Sequence, residues 1–144
     1  MADVRDALII GKNTAGANVR RPMSPHLQVY RPQISSALSI FHRLTGIALS
    51  VGSAVLVWWL VAAASGPHAY AVVSGFLRSP VGLIVLFGWT VALWYHFFAG
   101  IRHLVWDMGY GYSKPNFHAS GWATLAATAV SSVLTWAVGL WVQA

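Results

Sequence analysis

The chain has 144 residues, of which 57% are hydrophobic and 8% charged, and it carries a formal net charge of +6. Because soluble domains contain roughly 25% charged residues, this composition excludes an ordinary water-soluble protein and is typical of a membrane protein. The chain has no cysteine, which excludes disulfides and thiolate metal sites within it. Its basic residues lie near the ends of apolar runs and form no single basic face, so the charge does not indicate nucleic-acid binding.

The N-terminal part of the chain is polar and irregular, with structure-breaking residues at Gly11, Gly16, Pro22, Pro25 and Pro32. We predict a cytoplasmic docking arm over residues 1–34, too irregular to form a domain of its own. The first long apolar run starts beyond residue 40 and is too long for a signal-peptide core, so no cleavable signal is expected.

Three windows are long and apolar enough to cross a membrane as helices, which takes roughly 20 residues each. They are Leu44 to Ala64, Val81 to Ile101 and Ser120 to Val142, and none contains Asp, Glu, Lys or Arg. Strands of a membrane β-barrel would be shorter, alternating and more numerous. The predicted fold class is therefore an all-α integral membrane protein with three transmembrane helices.

Local capping signals set the predicted ends of these helices. Ser35 or Ser36 can cap the first helix, and Ser79-Pro80 opens the second. Gly109, Gly111 and Pro115 disfavour a continuing helix after the second span. We predict transmembrane helices over 35–64, 80–106 and 119–142, with connections at 65–79, where a short helical turn is expected, and at 107–118.

The distribution of positive charge predicts the orientation. Most basic residues precede the first span or flank the connection at 107–118, and Arg78 alone lies in the other connection. Since cytoplasmic loops carry the excess of Lys and Arg, the N-terminus and residues 107–118 are predicted to be cytoplasmic. We expect a multi-pass protein of the bacterial inner membrane, or of the mitochondrial inner membrane in a eukaryote.

Small residues recur every fourth position on the last helix, at Ala119, Ala123, Ala127, Ser131, Thr135 and Gly139. Such a row lets another helix approach closely in a membrane, although alanine is common enough in apolar helices for the row to be a coincidence.

A polar stripe on the second helix carries the candidate chemistry. His96, Gly100, His103 and Asp107 fall within about 60° on a helical wheel, and His96 lies roughly 10 Å deeper than His103. An ionisable group at that depth usually marks a cofactor, an ion path or a substrate, and the alternative is a neutral histidine bonded to a neighbouring helix. Gly100 is predicted to leave room beside His96 for a flat macrocycle or a close backbone.

His96 suits axial ligation of haem iron, whose other side needs a second ligand. His103 cannot supply it, because both histidines point the same way from one helix. His103 is better interpreted as a hydrogen-bond donor to a propionate or a partner, or as an interfacial histidine. Three helices also enclose little space, so the site is expected to need walls from a second chain. We interpret Arg102, His103 and Asp107 as a water-facing rim where other subunits dock.

The motif SIFHR at the start of the first helix complements this stripe. Ser39 and Arg43 are four residues apart and share a helix face, where they could hydrogen-bond a quinone carbonyl. Arg43 and His42 could also hold haem propionates. Arg43 could instead be a snorkelling topology determinant, and His42 could in principle be a second axial ligand, although it should lie shallower than His96.

These motifs resemble a known family. The stretches RPMSPHLQVYRPQISSALSIFHRLTG (Arg21 to Gly46) and HFFAGIRHLVWDMGY (His96 to Tyr110) are similar to the cytochrome b membrane-anchor subunits of succinate dehydrogenase, respiratory complex II, in their mitochondrial and α-proteobacterial branch. The resemblance implies a hetero-oligomeric helical bundle with a second anchor subunit. It also implies one shared b-type haem, a ubiquinone-reduction site, and docking of the iron–sulfur and flavoprotein subunits.

The resemblance also implies roles for individual residues. His96 corresponds to the haem axial ligand, and the opposite ligand comes from the partner anchor subunit. Ser39 and Arg43 correspond to quinone-binding residues, while His42, with Arg43 and His103, lies in the haem propionate environment. As a subunit of an enzyme, the chain would take part in electron transfer to quinone and would not oxidise succinate itself.

Two further residues are implied in partner docking. Asp107 is carried over as a motif member near the peripheral subunits, and His26 resembles a docking position against the iron–sulfur subunit. The chain lacks the additional histidines that di-haem relatives need near both membrane faces, which argues for one haem.

Two other functions remain open on the sequence. In a proton-conducting or transport subunit, His96, His103 and Asp107 would form the path, but Val81 to Tyr95 offers no histidine or carboxylate to continue it. A purely structural anchor would bind no quinone.

Overall fold

The structure is a computed structural model that describes residues 8–22 and 33–143. It divides into two compact units, Met1–Gln33 and Ile34–Ala144, which are described separately.

The N-terminal unit contains a β-hairpin. Strand β1 (Leu8–Lys12) pairs antiparallel with β2 (Asn18–Pro22), in a register that places Ile10 opposite Arg20. The Asn13 side chain closes the turn by accepting hydrogen bonds from the amides of Ala15 and Ala17 at 3.0 and 2.9 Å. Such a local side-chain turn needs no hydrophobic pattern, and this explains why the sequence predicted only an irregular arm here.

The second unit consists of four helices, α1 (Ile34–Ser65), α2 (Pro67–Arg78), α3 (Pro80–Asp107) and α4 (Lys114–Gln143). By length and composition, α1, α3 and α4 are able to cross a membrane. The predicted fold of three transmembrane helices is thus confirmed, and the hairpin and α2 add to it.

Two connections differ from the prediction. The segment after α1 forms the full helix α2 of 12 residues, where only a helical turn was predicted. Helix α4 begins at Lys114, ahead of the predicted residue 119, because the Ser113 carbonyl accepts from the amide of Phe117 at 2.9 Å. Pro115 is tolerated there, since a proline in the first turn loses no intrahelical hydrogen bond.

The middle span, α3, contacts both α1 and α4. The buried cluster is small and consists of Leu38, Tyr95 and Ala99, with Ile34 and Leu125 packed against it. Within it the Tyr95 hydroxyl donates to the Leu38 carbonyl at 2.7 Å, which ties α3 to the start of α1. Many large apolar side chains remain exposed, Trp141 at 79%, as expected for surfaces covered by lipid or other membrane subunits.

The buried face of α4 carries a row of small residues. Gly121, Thr124, Thr128 and Ser132 are buried on α4. This row is not the one marked in the sequence, because Ala119, Ala123 and Gly139 are exposed. Hydroxyls that bond their own helix can pack as closely as alanine, so several rows on α4 were suitable and the sequence could not choose between them.

Candidate functional site

Three histidines from α1 and α3 form a column. The His42 ring lies between those of His96 and His103, with ring centroids 4.2 and 4.8 Å apart and interplanar angles of 21° and 17°. The seven-residue spacing places His96 and His103 on one face of α3, and His42 fills the gap between them from α1. The structure therefore joins the two histidine motifs into a single cluster.

The hydrogen bonds of His96 determine which ring nitrogen is free. Its Nδ1 lies 3.1 Å from the carbonyl oxygen of His42 and 3.2 Å from the hydroxyl oxygen of Thr45. A carbonyl oxygen only accepts, so Nδ1 must carry the proton and donate it. Nε2 then keeps its lone pair, and the bond at Nδ1 fixes the ring orientation as in many metal-binding histidines.

The free nitrogen of His96 also reaches the surface of the bundle. Among the described residues, the buried side-chain nitrogens and oxygens without a hydrogen-bond partner are His42 Nε2, Ser74 Oγ, Trp89 Nε1 and Ser132 Oγ. His96 Nε2 has no partner either, yet it is not in this buried set. It is therefore accessible to a group outside the chain, and His42 Nε2 next to it is a buried polar atom that lacks a partner.

The glycine that makes room for His96 lies on α1. A Cβ on Gly46 would lie 3.2 Å from His96 Cε1, tighter than most real contacts, whereas a Cβ on Gly100 would lie 3.9 Å from His42 Nε2. Gly100 lies at ordinary contact distance from His42, and the prediction that it leaves room for a flat macrocycle stays a prediction. A helical wheel of α3 shows only that helix, so it could not show that α1 approaches His96 at Gly46.

The other residues predicted from the sequence lie around this column. His103 Nδ1 lies 2.7 Å from the carbonyl oxygen of Ala99, so its proton is donated within α3 and its Nε2 is free. Ser39 is half-buried and Arg43 is exposed, and within residues 33–143 neither side chain has a hydrogen-bond or ion-pair partner. Their polar atoms are thus available to a ligand near the N-terminal end of α1.

Comparison with known proteins identifies the family. The sequence profile described as "Succinate dehydrogenase/Fumarate reductase transmembrane subunit" matches residues 17–135. The "Succinate dehydrogenase cytochrome b556 subunit" of Paracoccus denitrificans is 48% identical over 115 residues, which cover 80% of this chain and 88% of that protein. The chain belongs to the succinate dehydrogenase/fumarate reductase transmembrane subunit family.

More distant relatives show the same relation. The subunit of the same name from Rickettsia typhi is 40% identical over 117 residues, covering 81% of this chain and 91% of that protein. The "Succinate dehydrogenase cytochrome b560 subunit, mitochondrial" of Sus scrofa is 41% identical over 115 residues, covering 78% of this chain and 68% of that protein. The resemblance to the mitochondrial and α-proteobacterial branch is confirmed. So is the predicted identity as a multi-pass inner-membrane anchor subunit of succinate dehydrogenase, an oxidoreductase complex.

In this family member, Arg102 does not lie where the sequence placed it. It was predicted at a water-facing rim, but its relative exposure is only 6%. Its Nε donates to Ser120 Oγ at 3.0 Å and its Nη2 to the Phe117 carbonyl at 3.1 Å. The guanidinium also lies 4.0 Å from the ring centroid of Trp106. Arg102 therefore joins α3 to the first turns of α4.

The two residues predicted to dock partners have different positions. Asp107 is exposed at the end of α3 and has no ion-pair partner in the part of the chain that the structure describes. His26 lies outside the described residues.

Sequence reasoning missed Thr45 and Gly46, which fix the position of His96 from α1. The sequence did contain a signal for Thr45. A metal-ligating histidine needs a hydrogen-bond acceptor for its second ring nitrogen, and Thr45 offers a hydroxyl one turn after His42. A hydroxyl at that spacing is too common in helices to be recognised without knowing that α1 crosses α3 at His96.

Proposed function

We propose that this anchor subunit binds one b-type haem together with a second anchor subunit and forms part of a ubiquinone-reduction site. The observation that carries the proposal is the arrangement of His96, whose Nδ1 is held by α1 while its Nε2 is free at the bundle surface. The names of the relatives, which are cytochrome b subunits, support the same assignment.

The residues present fit a haem. When bound, the haem supplies a one-electron carrier within the membrane. His96 would be the iron ligand contributed by this chain. The His42 ring is stacked face to face on that of His96, with ring centroids 4.2 Å apart, so its nitrogens do not point at His96 Nε2. The opposite ligand is therefore assigned to the second anchor subunit.

The groups around His96 would neutralise the propionates. His42 Nε2 is buried without a partner, and His103 Nε2 is also free in the described chain. Arg43, one residue after His42, is an exposed cation without a counter-ion among residues 33–143. Arg43 can form charge-assisted hydrogen bonds with anionic propionates, His42 can donate to them when its Nε2 carries the proton, and His103 can donate from Nε2 when both of its ring nitrogens are protonated. This supports His42, Arg43 and His103 as the propionate environment.

Ser39 and Arg43 are proposed to bind the quinone. A hydroxyl and a guanidinium without partners, on one face of α1, can both donate to the carbonyl oxygen of a quinone. As the quinone is reduced, negative charge develops on that oxygen, and a nearby guanidinium stabilises it. The chain would thus take part in quinone reduction while the soluble subunits oxidise succinate.

Docking of the iron–sulfur subunit, and through it the flavoprotein subunit, is proposed at the same end of the bundle. Asp107 lies at the C-terminus of α3, where the helix dipole disfavours a negative side chain. A basic group on a partner would compensate this, so Asp107 is assigned to that interface. His26 is proposed as a second docking residue because of the family resemblance.

A proton path is the competing function, since the three stacked histidines form a continuous column. The column ends at His96, and the rest of α3 before it, from Val81 to Tyr95, contains no carboxylate or histidine. A proton path across the membrane is therefore not supported. The third alternative, a purely structural anchor, would leave the free Nε2 of His96 unexplained.

The ligand assignment is tested by His96→Ala in the purified complex. We expect the reduced-minus-oxidised spectrum of the b-type haem to disappear, with partial recovery on addition of imidazole, because a small imidazole can occupy the vacated space. His68→Ala, at an exposed histidine of α2, is the matched control and should leave the spectrum unchanged. An unaltered spectrum in His96→Ala would overturn the assignment.

The quinone assignment is tested by Ser39→Ala and Arg43→Gln. Hydrogen bonds to charged groups contribute roughly 1.5–3 kcal/mol, so Arg43→Gln should lower kcat/KM for ubiquinone by about tenfold or more. Ser39→Ala should have a smaller effect in the same direction. Succinate oxidation with a water-soluble acceptor should not change in either variant. Unchanged ubiquinone kinetics in both would support the purely structural anchor.

A further inference from the structure

Arg102 is a buried cation without a carboxylate partner. The only carboxylate side chain within residues 8–22 and 33–143 is that of Asp107, which is exposed and forms no ion pair with it. A buried charge is costly unless it is paired. The carbonyl of Phe117 and the face of Trp106 offset part of this cost but supply no negative charge.

The guanidinium also has unused donors. It carries five N–H groups, and its hydrogen bonds within the described chain go to Ser120 and Phe117 only. Of its three nitrogens only Nη1 has no hydrogen bond, and Nη1 is not among the unpartnered buried atoms, so it keeps some exposure. Arg102 can therefore still bind an anion from outside the chain.

A groove of about 300 Å³ between α3 and α4 lies directly beside these donors. Arg102, Trp106 and Ser120 line its polar end, and its other walls are apolar, including Phe98, Ile101 and Ala127. The groove is thus amphipathic, with one cation at one end and hydrocarbon along the rest.

The depth of Arg102 matches the edge of the hydrocarbon layer. Helix α3 has 28 residues; at 1.5 Å per residue it spans about 42 Å and would extend about 6 Å beyond each side of a layer roughly 30 Å thick. Arg102 precedes the end of the helix at Asp107 by about 8 Å on the same rise. On this count its backbone lies about 2 Å inside the hydrocarbon boundary, from where the long side chain can reach outward to glycerol and phosphate groups.

We propose that this groove binds an anionic phospholipid, with its phosphate on the Arg102 guanidinium and the start of one acyl chain along Phe98, Ile101 and Ala127. Guanidinium and phosphate form paired, charge-assisted hydrogen bonds, which explains an arginine at this position. Trp106 beside it provides the amphipathic ring that is frequent at this depth.

A carboxylate of another subunit would satisfy the same charge, but two features favour the lipid. The apolar walls below Arg102 extend towards the membrane interior, where an acidic side chain has no use for them. The groove also lies on the α4 side of α3, whereas the imidazole of His96 is held by α1 on the other side. The second feature rests on the proposed function, because it assigns the second anchor subunit to the histidine side.

The test is lipid retention by the intact complex. The complex is washed extensively in detergent and transferred to phosphatidylcholine nanodiscs with or without phosphatidylglycerol, and the phospholipid that stays bound is measured by native mass spectrometry. We expect selective retention of phosphatidylglycerol, reduced about fivefold in Arg102→Gln, because one basic residue contributes about 1 kcal/mol to anionic-lipid binding near the surface. Arg78→Gln, at an exposed arginine of α2, should retain as much as the unmodified complex.

A second variant keeps the proposal testable if Arg102→Gln prevents assembly of the complex. Ala127→Phe fills the apolar part of the groove without touching the hydrogen bonds of Arg102, and it should also lower retention of phosphatidylglycerol. Equal retention of both lipids by the unmodified complex would overturn the proposal. So would full retention in Ala127→Phe, or a structure of the complex in which a carboxylate of another subunit is hydrogen-bonded to Arg102. Because the bound lipid is measured directly by mass spectrometry, these outcomes are independent of haem and quinone binding.

Discussion

The two sides of α3 differ in how most of their polar groups are satisfied, with Ser132 Oγ and Arg102 as exceptions on the α4 side. On the α4 side, the hydroxyls of Thr124 and Thr128 donate to carbonyls of their own helix at 2.9 and 2.8 Å, and Trp94 donates to Thr135 at 2.9 Å. On the α1 side, His42 Nε2 is buried without a partner and His96 Nε2 is free. A polar group whose hydrogen bonds are complete stabilises packing, whereas one left incomplete in a membrane indicates an absent ligand.

The close approach of α1 to α3 gives the largest expected effect on stability. A Cβ on Gly52 would overlap the indole of Trp89, so Gly52→Ala must displace that ring or separate the helices. Overpacking of this kind costs about 1–3 kcal/mol. We expect a lower melting temperature of the purified complex.

Gly88→Ala is the matched control for Gly52→Ala. Gly88 lines the same cavity of about 560 Å³, and no atom lies within 4 Å of the Cβ it would gain. Equal melting temperatures for the two variants would show that α1 and α3 do not pack through Gly52.

The site itself is probed by a second pair of glycines. Gly46→Ala would push the His96 ring by a few tenths of an ångström, since its Cβ would lie 3.2 Å from Cε1. Disturbing the groups that orient a metal ligand typically costs about tenfold or more in affinity. We expect about tenfold weaker haem retention in Gly46→Ala and unchanged retention in Gly100→Ala, measured as haem per complex after dilution. The reverse order would support the role that the sequence predicted for Gly100.

This pair also shows how far the sequence could predict the site. The spacing of His96 and His103 determined their common face, and the apolar windows determined the three spans, because both depend on one helix at a time. The partners of His96 and Arg102 depend on how helices cross. Gly46 and Gly100 look equivalent along the chain, and Arg102 next to His103 looked like a rim residue until α4 was seen to cover it.

The α4 side should respond weakly and without any change at the haem. Trp94→Phe and Thr135→Val each remove the hydrogen bond between these side chains, and Trp94→Phe keeps its stacking on Phe98. Side-chain hydrogen bonds between transmembrane helices average about 0.6 kcal/mol, so a double-mutant cycle on unfolding of the complex should give a coupling energy of about that size. Trp122→Phe, at a tryptophan of α4 that is 64% exposed, should give no coupling energy when it replaces Trp94→Phe in the same cycle.

The haem spectrum decides whether the two sides of α3 are independent. Trp94 lies two residues before His96, but its indole points to α4 while the imidazole of His96 is held by α1. If the contacts between α3 and α4 only stabilise packing, Trp94→Phe should lower the stability of the complex slightly and leave the reduced-minus-oxidised spectrum unchanged. A shifted spectrum would mean that contacts with α4 also set the orientation of α3 and of His96. Completed hydrogen bonds would then not mark residues that only stabilise packing, and the difference between the two sides of α3 would not distinguish structural from functional residues.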